Sequence, residues 1–293
     1  MPIELPSNDA ERVQWQAANK SWWETTPMRY DWRDEIPFDV GTREYYEEID
    51  RRFIASSRDY LPWKTRPFDP LIPYADLANF DILEIGVGQG THAQLITPHC
   101  RSFTGIDLTE AATTATAKRF AVFGLAGNIL QMDAEAMGFD DASFDYIWSW
   151  GVIHHSADTR RVLVEMNRVL RSGGRATVMV YHRNWWNFYV IAGLLRGIVQ
   201  RQLRYHGSLH AVAQGATDGA LARYYRPEEW RKVTNGLFTL QRIRICGLKN
   251  DVIPLPAGRL KTSIERSAPS AVTRAMTNTL RMGSFLVADM EKA

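Results

Sequence analysis

Short apolar runs alternate with stretches of helical periodicity through the middle of the chain. Strands are predicted at 81–85, 102–106, 127–132, 144–149 and 174–181, with helices near 91–97, 109–122 and 158–170 between them. Such alternation is the pattern of a parallel sheet with helices on both faces, an α/β fold. Upstream, helices are expected near 9–20 and 42–58, followed by prolines at 62, 67, 70 and 73 that mark an extended linker. Downstream, residues 183–224 read as a long, mostly helical insertion. Pro227-Glu-Glu229 then opens a helix with proline and acids in its first turn. Phe238-Thr-Leu-Gln-Arg-Ile-Arg-Ile245 alternates at period two and predicts a sixth strand. A second insertion, about 248–281, precedes the apolar run Ser284-Phe-Leu-Val-Ala288. The expected organisation is an aromatic N-terminal lid over 1–78, a core over 79–182, an insertion over 183–226 and a return to the core over 227–293.

The segment Asp81-Ile-Leu-Glu-Ile-Gly-Val-Gly-Gln-Gly-Thr91 joins a strand to a helix through glycines at every second position. A turn of this kind lets backbone amides approach a ligand without Cβ interference. A dinucleotide fingerprint needs its third glycine one place later, where Thr91 stands. Glu84 ends an apolar strand two residues before Gly86, where a charge must have a reason.

That segment resembles motif I of the class I S-adenosylmethionine (SAM) dependent methyltransferases, and the resemblance extends in order and spacing over roughly residues 80–182. Phe103-Thr-Gly-Ile-Asp-Leu108 resembles the second strand of that family, and Gln131-Met-Asp-Ala134 the third. Phe144-Asp-Tyr-Ile-Trp-Ser149 with Val152-Ile-His-His155 resembles the fourth strand and its loop. Leu170-Arg-Ser-Gly-Gly-Arg175 resembles the turn into the fifth. The kinship is with the small-molecule type, similar to the ubiquinone/menaquinone methyltransferase-like group. It implies a Rossmann-like, seven-stranded, mostly parallel sheet whose antiparallel last strand, the 284–288 run, lies between strands five and six.

The resemblance also implies roles for particular residues. Gly86, Gly88 and Gly90 would pass close to the methionine and ribose parts of SAM, with Glu84 orienting the turn or meeting the ammonium. Asp107, 21 positions after Gly86, would accept both ribose hydroxyls, since a carboxylate has two acceptor oxygens. Asp133 would accept from the adenine amino group, the Ala134 amide would bond a ring nitrogen, and Leu108 and Met132 would sandwich the purine. Ser149 completes the cofactor-facing set. The competing readings are ordinary ones: Asp107 as a cap for the helix after Thr109, and Asp133 as a turn residue. Each carboxylate nevertheless falls at the carboxyl end of a predicted strand, the edge where open parallel sheets bind ligands.

Methyl transfer is a displacement at carbon and needs chiefly alignment, with a base where the acceptor carries a proton. His155 is the first candidate, followed by His154 and by His182 at the end of strand five, with Tyr181 beside it. A histidine near its ordinary pKa suits base work at neutral pH. The alternative is that these histidines only shape the pocket. Trp22, Trp23, Tyr30 and Trp32 would close over the site or simply dock the N-terminal segment. No Asn-Pro-Pro-Tyr follows strand four, which disfavours exocyclic-amine methylation, and no metal site is expected.

Composition narrows the rest. The balance of 35 basic against 33 acidic side chains gives +2, too little to indicate a nucleic-acid partner. Two cysteines exclude a disulfide framework and suit a reducing cytoplasm. The start shows no signal-peptide pattern, and no uncharged apolar run reaches the roughly 18 residues of a spanning helix. Trp185-Trp-Asn-Phe-Tyr-Val-Ile-Ala-Gly-Leu-Leu195, followed by Arg196, Arg201 and Arg204, reads either as a cap or dimer contact or as a membrane-surface helix. The expected activity is methyl transfer from SAM to oxygen, nitrogen or carbon of a small to medium acceptor, apolar, aromatic or lipid-linked. The alternatives are an NAD(P)-dependent oxidoreductase and a non-catalytic SAM-binding protein.

Overall fold

The computed structural model describes residues 5–31, 34–255 and 258–293. Its centre is one sheet in the order β3-β2-β1-β4-β5-β8-β7. The parallel part comprises β1 (Asp81–Ile85), β2 (Ser102–Asp107), β3 (Asn128–Gln131), β4 (Phe144–Trp150) and β5 (Leu170–His182). A two-residue strand β6 (Tyr224–Tyr225) pairs parallel with the end of β5, an addition to the seven expected strands. β8 (Phe285–Lys292) runs antiparallel between β5 and β7 (Phe238–Cys246), the position the resemblance implied. β5 begins earlier than predicted because Leu170 pairs with Phe144 before the register shifts, so the Ser-Gly-Gly turn lies inside the strand.

Period two puts adjacent strand residues on opposite faces, and both faces are covered, as a largely parallel sheet requires. Leu83, Ile85, Ile106 and Ile147 meet α5 (Thr159–Val169) through Val162, Leu163 and Met166. On the other face Ile82, Phe103, Tyr146 and Trp148 meet Phe53, Tyr60, Phe68 and Ile72. The N-terminal 78 residues therefore divide. α2 (Arg43–Tyr60) and the Phe68–Ile72 segment belong to the core, while α1 (Asp9–Thr25) crosses the carboxyl rim of the sheet.

His92, on α3 (Thr91–Ile96), stands in this second layer, its ring centre 5.0 Å from that of Phe68 and 5.1 Å from those of Phe53 and Trp148. Its Nε2 is buried without a hydrogen-bond partner. Burial pushes its pKa down to about 3. The unfolded chain, with a histidine pKa near ~6.5, then takes up the proton first on acidification. The stability contributed by keeping His92 neutral is thus complete above about 6.5 and is lost as pH falls toward 3. His92→Phe is expected to gain about 2 kcal/mol over the natural protein on moving from pH 7.5 to pH 5. Thermal melts at the two pH values check this, and equal changes for both proteins would contradict it.

Candidate functional site

The strand ends β1, β2, β3 and β4 converge on one rim. Glu84 is the penultimate residue of β1 and is 2% exposed, and its Oε2 finds no hydrogen-bond partner. Burial, then the neighbouring charge of Asp107, holds its carboxyl well above the usual carboxylate range. A buried carboxyl in this state is completed by a cationic donor or by its own proton. The turn after it is tight on one side and open on the other. A Cβ on Gly86 would lie 2.2 Å from a Val152 methyl, whereas one on Gly88, at φ +52, would meet nothing within 4 Å and would project into open space. Gly90, at φ +79, backs onto Thr116 and Arg119.

Asp107 at the end of β2 faces this turn. Its Oδ2 accepts from the Gly88 amide at 3.2 Å, and its Oδ1 accepts from the amide and hydroxyl of Thr109 at 3.0 and 2.9 Å. The capping role and the binding role are therefore compatible, because these three donors leave one of the carboxylate's roughly four acceptor sites open, on Oδ2. The helix after it, α4 (Glu110–Phe123), is capped by the Thr109 side chain. Burial raises the Asp107 pKa, which sharpens its demand for hydrogen-bond donors. The Met132 amide donates to the Asp107 carbonyl at 2.8 Å, and the Gln131 side chain donates to the Leu108 carbonyl. These bonds bring Leu108 and Met132 to the same stretch of the rim, followed at once by Asp133 and Ala134. Ser149, on β4, is fully buried, with no partner for its hydroxyl. Glu84, Asp107 and Ser149 thus offer unspent polar capacity around the open Gly88 turn, and this fits a ligand with an ammonium, a diol and a donor-rich base.

α1 lies over this rim and is tied to it at three points. Gln16 donates to Asp133 Oδ1 at 2.9 Å and accepts from the Ala157 amide at 3.1 Å. Arg12 pairs with Glu135 at 3.0 Å, whose side chain is 1% exposed. Glu24 accepts from the amides of Glu110 and Ala111 at the start of α4, an arrangement favoured at a helix N-terminus. Arg12→Ala removes the charged partner of a buried carboxylate that retains Ser156 and Asp158 as donors. Its expected cost is about 1–3 kcal/mol, read as a lower melting temperature together with faster proteolysis of the N-terminal segment.

The histidines differ in environment. His155 Nδ1 lies 2.6 Å from the Leu221 carbonyl oxygen, which accepts only from a protonated nitrogen. The neutral ring is therefore held with its lone pair on Nε2. Trp23 of α1 stands edge-on to it with centroids 5.0 Å apart, and Trp22 packs against Trp23. Burial pushes the His155 pKa down to about 4, below the ordinary value that the sequence reading assigned to it. His154 stacks between His155, at 4.1 Å, and Tyr181, at 3.9 Å. Both of its ring nitrogens are buried without partners, and burial lowers its pKa well below the usual value. His182 neighbours Tyr181 on β5 and so projects to the opposite face, where its Nδ1 donates to the Gly283 carbonyl at 2.9 Å. The structure joins His154, His155 and Tyr181 and leaves His182 outside that cluster. Tyr30 packs on Phe53, and Trp32 lies outside the described residues.

Several participants had no signal in the sequence. Gln16, Arg12 and Glu24 are ordinary helix residues until tertiary structure brings them to the rim. The Leu221 carbonyl belongs to a 217–223 loop clasped against His155, where a Cβ on Gly219 would sit 2.5 Å from Nδ1. Buried Arg223 fixes that loop by donating to the carbonyls of Ser156 and Ala157. Thr91, where a dinucleotide turn needs glycine, donates its hydroxyl to Asp50 at 2.7 Å.

Similarity to known proteins covers the same region. Residues 83–178 match the family model described as a methyltransferase domain. The phthiotriol/phenolphthiotriol dimycocerosates methyltransferase of Mycobacterium tuberculosis is 35% identical over 134 residues, 44% of this chain and 49% of that relative. The chain thus spans about half the length of the mycobacterial relatives it matches. A phosphatidylethanolamine N-methyltransferase of Cereibacter sphaeroides is 29% identical over 167 residues, 56% of this chain and 79% of that one. Among solved structures, a SAM-dependent methyltransferase from Methanosarcina mazei superposes with a TM-score of 0.51 at 18% identity, covering 76% of this chain and 98% of that one. That likeness establishes the fold.

Proposed function

Because residues 83–178 match a methyltransferase-domain family model, we infer that the whole chain is a class I SAM-dependent methyltransferase that transfers a methyl group from SAM to an apolar, lipid-linked organic acceptor. The observation that carries this reading is the set of unspent polar groups at the rim, Glu84 and Asp107 on either side of the open Gly88 turn, beside a histidine whose tautomer is fixed. SAM supplies an electrophilic methyl on a sulfonium sulfur, for which alignment is the main requirement.

The residues divide the work. Asp107 accepts from the ribose diol, Glu84 from the ammonium, and Asp133 with the Ala134 amide reads the purine edge between Leu108 and Met132. Gln16 already occupies Asp133 Oδ1, so α1 and the adenine share that carboxylate or α1 shifts as the donor enters. Trp22 and Trp23 exclude water from the acceptor side. His155 Nε2 takes the acceptor's proton, while the Leu221 carbonyl holds Nδ1–H and steadies the ring as it becomes charged. His154 and Tyr181 wall the pocket by stacking.

The acceptor class rests on the aromatic lining and on the names of two relatives, one of which specifies phosphatidylethanolamine. Cys100 and Cys246 are free thiols, in keeping with a cytoplasmic enzyme. The test is incubation with methyl-labelled SAM and separated cell extracts. Label entering the solvent-extractable apolar fraction is expected. Label confined to water-soluble products or to nucleic acid would overturn the acceptor assignment.

A further inference from the structure

The charge of this chain is unevenly placed. Residues 184–217 contain Arg196, Arg201 and Arg204 and no acid, and residues 259–281 contain five basic residues against Glu265 alone. These two segments hold an excess of seven positive charges, whereas the entire chain carries +2, so the remainder is at −5.

The same insertions expose apolar side chains. The wide i→i+5 helix Trp185–Val199 has Phe188, Ala192 and Gly197 on its buried stripe. Its solvent stripe is also apolar: Trp185, Tyr189, Leu194 and Ile198 are 49%, 43%, 50% and 62% exposed. Their spacing of four, five and four matches that of the buried stripe, so each set stays on one side. A helix apolar all round calls for a second apolar partner. The helix Arg259–Ser267 adds exposed Leu260 and Ile264, and Leu280 is exposed nearby. The two insertions meet, since Trp185 Nε1 donates to the Leu280 carbonyl at 3.0 Å.

We propose that these two insertions form one docking face for an anionic phospholipid bilayer surface. Basic residues flanking exposed aromatic and aliphatic side chains are the composition of an interfacial helix, in which the apolar stripe enters the acyl boundary and the arginines meet phosphates. Among the described residues no helix is long and apolar enough to cross a membrane, so the contact is peripheral. The charge partition selects a bilayer over a neutral protein partner. It also orients the molecule, because the acidic remainder is repelled from the same surface. From the docking helix a series of ring contacts leads inward: Phe188 to Tyr224 at 5.4 Å, Tyr224 to Tyr181 at 5.5 Å and Tyr181 to His154 at 3.9 Å. The face therefore adjoins the acceptor side of the candidate site. Docking itself does not depend on which acceptor is methylated.

The test is sedimentation of the full chain with phosphatidylcholine vesicles and with mixed phosphatidylcholine–phosphatidylglycerol vesicles, at low and high salt. Binding to the mixed vesicles, weakened by salt, is expected, with little binding to phosphatidylcholine alone. Arg201→Ala with Arg204→Ala is expected to lower the partition coefficient by about 30-fold. Leu194→Asp with Ile198→Asp should abolish binding while leaving the SAM-induced rise in melting temperature intact, which shows that the variant is folded. The proposal is overturned if the natural protein stays in the supernatant with the mixed vesicles. It is equally overturned if a folded Leu194/Ile198 variant sediments as before, or if these substitutions only dissociate a dimer of the chain. Methyl transfer to a dispersed acceptor without vesicles tests the proposed activity separately.

Discussion

Asp107→Ala is expected to weaken SAM binding by about 10- to 100-fold while the sheet remains folded. The acceptor site left open on Oδ2 accounts for one charge-assisted hydrogen bond to the diol, contributing about 1.5–3 kcal/mol. The structural cost is smaller. Asp107 gives up its contacts with the Gly88 amide and with Thr109, but the Thr109 side chain still caps α4 through the Ala112 amide. Removing a carboxyl whose pKa is raised by burial also relieves a desolvation cost. Calorimetric titration with SAM and a thermal melt of the free protein separate the two effects. Weak binding with a nearly unchanged melt supports the assignment, and unchanged affinity removes Asp107 from the ribose site.

His155→Ala is expected to lower kcat by about 10²–10⁴-fold, the range of a lost general base, with SAM affinity unchanged. The pH profile carries the sharper information. Burial holds the His155 pKa at about 4, so Nε2 is already unprotonated through the neutral range. The acid limb due to this residue should appear near 4, with rates independent of His155 protonation between about pH 6 and 8. A limb near the ordinary histidine value would show that the ring is solvated during turnover. A full rate in the alanine variant would leave His155 as a wall of the pocket.

The parallel half of the fold was legible because β1, β2 and β4 are short apolar runs ending at a glycine turn or an acid, and two of the helices between strands bring a side-chain cap. Thr109 before α4 and Asp158 before α5 both accept from first-turn amides, as their positions suggest. β6 escaped notice because two residues carry no periodicity. The early start of β5 was hidden by Gly173 and Gly174, which read as a turn although the chain around them stays paired. The docking helix follows a spacing of four and five, whereas an ordinary helical pattern repeats at ~3.6 residues, so its two apolar stripes merge into one hydrophobic run when read along the chain.

The site was legible to the extent that it lies on strand ends. Glu84, Asp107 and Asp133 lie at or just beyond the carboxyl ends of β1, β2 and β3, which the parallel pairing brings to one rim. What fixes His155 is a backbone carbonyl 66 residues away, and a carbonyl has no residue type to reveal it. The placement of α1 over the rim was partly visible. Aromatic content pointed to the N-terminal segment, but the ties are polar, from Gln16, Arg12 and Glu24, and α2 proved to be core. The expected histidine pKa failed because burial is a tertiary property: the same His-His pair in an open loop would titrate near its ordinary value.

The most direct measurement is calorimetric titration of the purified natural chain with S-adenosylmethionine. The account predicts saturable binding at one site per chain and a rise in melting temperature with donor concentration. Folded protein giving neither heat nor a melting shift at saturating donor would contradict it.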